Sequence, residues 1–212
     1  MTPEMSRVLT RLEHRSNSER AELNRLNDAG PSHTRAAAGQ LMLDVGPDVG
    51  RLLAVLVRSR TKPTVVELGG SVGYSTIWLA DAVRAAGGRV YSIEPDAGKV
   101  AQARANLADA GLAAYVEVIE GTAAETLPRL PGPYDVVIID HWKDLYIPDF
   151  DLAWTRVAEG GVVVADNILE PQATRDVMAR YVDHVRAVPG AWSQTLPLGD
   201  GVEITMRTGD RS

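Results

Sequence analysis

From Pro63 onward, short β-branched runs alternate with longer stretches of helical character, and this alternation is the pattern of a parallel α/β sheet. It places strands at Thr64 to Leu68, Arg89 to Glu94, Ala114 to Glu120, Tyr134 to Asp140 and Gly161 to Asp166. Helical stretches fall around Tyr74 to Ala86, Ala97 to Ala110 and Leu145 to Ala158, with a short turn near Glu125. Past Pro171 a further helix runs to about Val188. It leads into two strands, Trp192 to Leu196 and Val202 to Arg207, whose Gly199-Asp200-Gly201 connection is the strongest hairpin signal in the chain. The expected fold is α/β: a single doubly wound, mostly parallel sheet with an antiparallel edge hairpin and helices on both faces.

A chain of 212 residues with 45% hydrophobic content can bury the core of one domain. The composition shifts once, at the turn-rich break from Asn27 to His33. Residues 1–33 therefore read as an N-terminal helical arm, carrying Val8, Leu9, Leu12, Leu23 and Leu26 on patchy helical spacing, and residues 34–212 as the main domain. Cysteine is absent, so any metal must be held by oxygen or imidazole, which favours a hard cation. A net charge of -6 argues against a nucleic-acid footprint. The longest apolar run, Leu52 to Val57, is far too short for a membrane span, and the mixed Arg and Glu residues before Asp28 do not form a signal peptide. The expected protein is cytoplasmic, a monomer or homodimer, with a small-molecule substrate and with neither nucleic acid nor membrane as partner.

In an open α/β sheet a ligand sits beyond the carboxyl ends of the strands. Glu67, Glu94, Asp140 and Asp166 all fall at such ends and are expected on one rim. The loop Glu67-Leu68-Gly69-Gly70-Ser71-Val72-Gly73-Tyr74-Ser75 resembles motif I of the S-adenosylmethionine-dependent methyltransferases, whose glycines let the backbone approach a ligand. Ser71 stands where a dinucleotide fingerprint needs its second glycine, which weighs against an NAD-dependent dehydrogenase. Glu94, 27 residues after Glu67, is placed to accept hydrogen bonds from both ribose hydroxyls. An acidic Glu67 beside the loop suits a cationic cofactor, where a pyrophosphate would be repelled.

The stretch Asp140-His141-Trp142-Lys143-Asp144-Leu145-Tyr146-Ile147-Pro148-Asp149, followed by Ala165-Asp166-Asn167, closely resembles the catechol O-methyltransferases, within the cation-dependent, S-adenosylmethionine-dependent O-methyltransferases. The resemblance runs from about Val45 to the end and implies a Rossmann-like domain. It implies that Asp140, Asp166 and Asn167 bind Mg²⁺ and that Lys143 is the general base. It also implies S-adenosylmethionine contacts at Val45, Glu67, Gly69, Gly73, Tyr74, Ser75, Glu94, Ala124, Asp140 and His141. Substrate contacts are implied at Trp142, Lys143, Asn167, Pro171 and Gln194. The tail Leu196-Pro197-Leu198-Gly199-Asp200-Gly201 is similar to the wider family that includes enzymes acting on caffeoyl thioesters.

The chemistry is consistent with that resemblance. Two carboxylates and one amide oxygen leave three positions of a Mg²⁺ octahedron for two neighbouring hydroxyls and a water. Lys143, three residues past Asp140 in the loop leaving the strand, reaches the acceptor hydroxyl. Departures from the family pattern are Leu41 in place of an aromatic gatekeeper, Pro95 beside the adenine platform, and Gln194 where the family has a glutamate. The leading function is methyl transfer to an ortho-diphenol. The alternatives are a methyltransferase for a bulkier phenolic, such as a caffeoyl thioester or secondary-metabolite intermediate, and a non-catalytic S-adenosylmethionine-binding module.

Overall fold

In the computed structural model, residues 1–37 and 39–209 are described. Helix α1 (Pro3–Ala29) starts where the Thr2 hydroxyl accepts the Met5 N–H and stops at Gly30, whose φ of 111° favours glycine. Helix α2 (Pro31–Ala37) follows at once, so the expected break contracts to one residue and the boundary at residue 33 falls inside α2. Then come α3 (Gly46–Arg58), β1 (Thr64–Leu68), α4 (Tyr74–Ala86), β2 (Arg89–Glu94), α5 (Ala97–Asp109), β3 (Val116–Glu120) and α6 (Ala123–Thr126). The chain continues through β4 (Tyr134–Ile139), α7 (Tyr146–Trp154), β5 (Val157–Ala165), α8 (Arg175–Ala187), β6 (Ala191–Leu196) and β7 (Val202–Arg207).

The seven strands form one sheet in the order β3-β2-β1-β4-β5-β7-β6. Strands β1 to β5 run parallel, and β7 and β6 close the edge antiparallel. Because strand side chains alternate between faces, neighbours in sequence enter different cores. Val65, Val136 and Ile138 pack under α3, α4 and α5, whereas Val66, Val137 and Ile139 pack under α7 and α8. The arm joins the first of these cores through Met5, Val8, Leu9 and Leu12.

Two expected elements are corrected. Residues Val157 to Gly160 belong to β5, not to the helix expected to reach Ala158, because Val157 pairs with Tyr134 before the register shifts. Gly160 (φ 71°) and Gly161, where a Cβ would lie 2.8 Å from Ala158 O, accommodate the irregularity. Ala114 and Tyr115 form a 3₁₀ turn ahead of β3. Strand order reverses between β1 and β4, which opens the ligand crevice beyond their carboxyl ends.

Candidate active site

At the switch point the loop after β1 meets the segment after β4. A Cβ on Gly69 (φ 96°) would lie 2.1 Å from Asp140 O and 3.0 Å from His141 Cβ, so only glycine fits between them. Gly70 faces Ser92 Oγ in the same way, with 2.1 Å to a Cβ. Ser71 adopts φ 46°, and its N–H donates to Glu94 Oε2 at 2.9 Å. The other Glu94 oxygen accepts the Asp96 N–H at 3.0 Å, so the carboxylate that ends β2 fixes both this loop and the one leaving its own strand.

Glu67 departs from the expectation of one acidic rim. It is two residues beyond Val65 on the same strand face, lies directly opposite Ser92, and is wholly buried beneath α4. Its Oε2 accepts from Thr76 Oγ1 (2.6 Å) and Ser92 Oγ (2.5 Å), while Oε1 has no partner among the described residues. Burial raises its pKa, opposed by the nearby hydroxyls of Ser75, Ser92 and Thr76. Glu67 therefore supports the glycine loop from below. Helix α4 begins at Gly73 (φ 92°) with no side-chain cap, and Tyr74 and Ser75 in its first turn are buried. Val45 is buried at the N-cap of α3, and Ala124 is exposed in the first turn of α6 beyond β3.

The ends of β4 and β5 bring the remaining chemistry together. Lys143 Nζ donates to Asn167 Oδ1 and to Tyr146 Oη, both at 2.7 Å, and lies 3.7 Å from Asp140 Oδ1. Burial lowers the Lys143 pKa, opposed by the charges of Asp140 and Asp166. Asp166 is 3% exposed and its Oδ1 has no partner among the described residues. Burial first, then the Asp140 charge, raises its pKa well above the usual carboxylate value. Asn167 takes φ 57°, a left-handed conformation that asparagine tolerates, directly after Asp166. Among the described residues no three carboxylate or imidazole side chains converge to hold a metal unaided. The set here is two carboxylates and an amide, all hard oxygen donors, one of them buried and unpartnered, and that set fits a divalent cation.

His141 packs edge-on against the Tyr146 ring at 5.3 Å, with Nε2 3.0 Å from Asp149 Oδ2. Trp142 lies under the Arg35 guanidinium at 4.9 Å, and Arg35 also pairs with Asp144 at 3.2 Å, so α2 borders the site. Pro171 is half-buried, just past Leu169 and Glu170, whose N–H groups donate to Asp200 O. The structure does not bring Gln194 into this group: it is exposed on edge strand β6 and its amide donates to Thr195 O. The acid that faces Asn167 is Asp200, with Asn167 Nδ2 3.4 Å from its Oδ2. Nothing local in the sequence marks this contact, because the hairpin turn itself folds back over the segment that follows β5. Asp44, whose pKa is raised by burial and then by Asp140, is likewise found only through tertiary proximity, as is Tyr146.

A glycine turn behind β1 and a lysine-bearing acidic cluster at the switch point define a Rossmann-like methyltransferase domain, and the family described as "Methyltransferase domain" matches residues 66–168. A catechol O-methyltransferase from Niastella koreensis is 34% identical over 142 residues, covering 65% of this chain and 64% of that protein. The catechol O-methyltransferase of Sus scrofa is 32% identical over 153 residues, covering 68% of this chain and 78% of the relative. Cofactor-bound Rv0187 from MTB superposes with a TM-score of 0.73 at 30% identity, covering 84% of this chain and 89% of that one. The O-methyltransferase TomG from Streptomyces achromogenes, involved in tomaymycin synthesis and solved with SAM, gives 0.70 at 25% identity, covering 93% and 98%. The chain belongs to the catechol O-methyltransferase-like family of O-methyltransferases. Its match spans 64% of the length of the Niastella relative. Among the described residues no helix is long and apolar enough to cross a membrane.

Proposed function

We propose that this protein transfers the methyl group of S-adenosylmethionine to one hydroxyl of an ortho-diphenol, with Mg²⁺ held by Asp140, Asp166 and Asn167 and with Lys143 as the base. The observation that carries this reading is the convergence of Lys143 Nζ on Asn167 Oδ1 (2.7 Å) and Asp140 Oδ1 (3.7 Å), beside a buried Asp166 oxygen without a partner.

When bound, the sulfonium supplies an electrophilic methyl carbon. The cation, when bound, supplies Lewis-acid polarisation of the acceptor oxygens. Glu94 would accept from the ribose hydroxyls with the oxygen lone pairs that Ser71 and Asp96 leave free. The uncapped first turn of α4, at Tyr74 and Ser75, suits a carboxylate. Lys143 takes the acceptor's proton at Nζ as the acceptor oxygen bonds to the methyl carbon. The thioether that the cofactor would leave behind would keep the electron pair of the carbon–sulfur bond. Asp140, Asp166 and Asn167 would hold the cation beside the acceptor oxygens, and alignment of those oxygens is the main requirement of an in-line displacement.

A bulkier phenolic is the second reading. It is favoured by Leu169, 39% exposed beside the Gly201 turn, where it offers an apolar edge for a larger ring, and by the biosynthetic role of TomG. Both readings are tested by kcat/KM for ortho-diphenols, matched monophenols and larger phenolics. A monophenol loses one of two anchoring oxygens and is expected to react at least about 100-fold less efficiently. Equal efficiency for the monophenol excludes two-point holding of the acceptor.

A further inference from the structure

We infer that Tyr146 is the positioning residue of the base, holding Lys143 Nζ through its hydroxyl while Asn167 is engaged elsewhere. The inference rests on the catalytic reading above.

Tyr146 opens α7 and is fully buried. Its ring is held edge-on by His141 (5.3 Å) and by Tyr181 (5.5 Å), so the hydroxyl has one position available to it. That hydroxyl lies 3.1 Å from Asp166 O, a carbonyl that can only accept. The phenolic proton is therefore committed to Asp166 O, and the oxygen lone pairs face Lys143 Nζ at 2.7 Å. The result is a directed chain: Lys143 donates to Tyr146, and Tyr146 donates to the backbone of a proposed cation ligand. A lysine side chain has four rotatable bonds and needs such a restraint if its nitrogen is to stay on one acceptor atom.

Two acceptors hold Nζ, Tyr146 Oη and Asn167 Oδ1. In the proposed reading the second is drawn to the cation and can no longer hold the amine. Tyr146 is then the restraint that remains. The direction facing Asp140, where the contact lengthens to 3.7 Å, is left for the acceptor hydroxyl. Tyr146 itself touches no reacting atom.

The test is Tyr146→Phe, which keeps the ring and removes the hydroxyl. Its kcat is expected to fall about tenfold, the equivalent of one hydrogen bond near 1.4 kcal/mol, with KM values unchanged. In the Lys143→Met background the same substitution is expected to have no further effect, because a residue that acts through Lys143 loses its role when Lys143 is gone. A purely structural Tyr146 would lower the double variant by the full factor again. Tyr181→Phe strips an equally buried, unpartnered hydroxyl from the neighbouring ring and should leave kcat unchanged, with melting curves reporting the fold of each variant. A second readout needs no turnover. The chain has three lysines, Lys62, Lys99 and Lys143, so ¹⁵N-lysine labelling gives an Nζ signal for Lys143 that is assigned by its loss in Lys143→Met. That signal should move in Tyr146→Phe while the other two stay. A stationary Lys143 signal, or a kcat unaffected by Tyr146→Phe, overturns the inference. If the wild type methylates no diphenol, the catalytic reading fails, and the Nζ signal still decides whether Tyr146 holds the amine.

Discussion

Asp166→Asn changes charge without changing shape, and its expected effect on stability is opposite to its effect on activity. In the native state Asp166 is 3% exposed, its Oδ1 has no partner, and the Asp140 charge opposes its ionisation. An asparagine at this position has no charge to bury and no proton to retain at neutral pH, so the cost that burial and the Asp140 charge impose on Asp166 is removed. An unpaired buried polar atom costs about 1–3 kcal/mol, and a domain of this size gains roughly 2–4 °C in Tm per kcal/mol. In chelator at neutral pH the variant is therefore expected to melt roughly 2–12 °C above the wild type. The pH dependence follows from the raised pKa. The native state keeps a proton that the unfolded chain releases, so the stability tied to Asp166 is fully present below the ordinary carboxylate value of 3.8 and is lost as pH rises through the folded-state value. The two melting curves should coincide at acid pH and separate as pH rises, with the wild type lower. Added Mg²⁺ should raise the wild type and leave the variant unmoved, and the variant should not transfer methyl groups. A variant less stable than the wild type at neutral pH in chelator would refute the view that this acid is held at a stability cost for binding a cation.

Glu94→Ala is expected to weaken S-adenosylmethionine binding by on the order of 1–3 kcal/mol in calorimetry, while the Mg²⁺-induced rise in Tm stays as in the wild type; unaltered cofactor affinity would move the ribose site elsewhere. Lys143→Met should lower kcat by about 100-fold or more and leave cofactor affinity unchanged, and a kcat close to the wild type's at neutral pH would assign the base to another group. Gly69→Ala places a Cβ 2.1 Å from Asp140 O at φ 96°, so both the glycine loop and the acid after β4 must shift. Loss of cofactor binding is the expected outcome, and normal binding would show that the two loops move independently.

Much of this was legible in the sequence because parallel strands buried on both faces are short apolar runs, and their ends mark the crevice. β1 and β2 fall where the pattern places them, and Asp140, Lys143, Asp166 and Asn167 meet because β4 and β5 are neighbours in the sheet. The start of β5 was hidden, since Ala158 and Glu159 favour helix and only pairing with Tyr134 draws them into the sheet. The Leu52–Val57 run, read only as too short for a membrane, forms part of α3. Glu67 falls at a strand end in the sequence, but strand alternation turns its side chain under α4 and away from the rim. Asp200 and Tyr146 carry no local signal of their roles. The first reaches the site by a hairpin folding back, and the second was one aromatic among those of a helix start.

The most direct test of the central claim is methyl transfer from S-adenosylmethionine to an ortho-diphenol by the wild-type protein, followed by mass spectrometry in Mg²⁺ and in excess chelator. The expected result is a product heavier by one CH₂ unit in Mg²⁺, no product in chelator, and recovery when Mg²⁺ is restored. Full turnover in chelator would contradict a cation held by Asp140, Asp166 and Asn167.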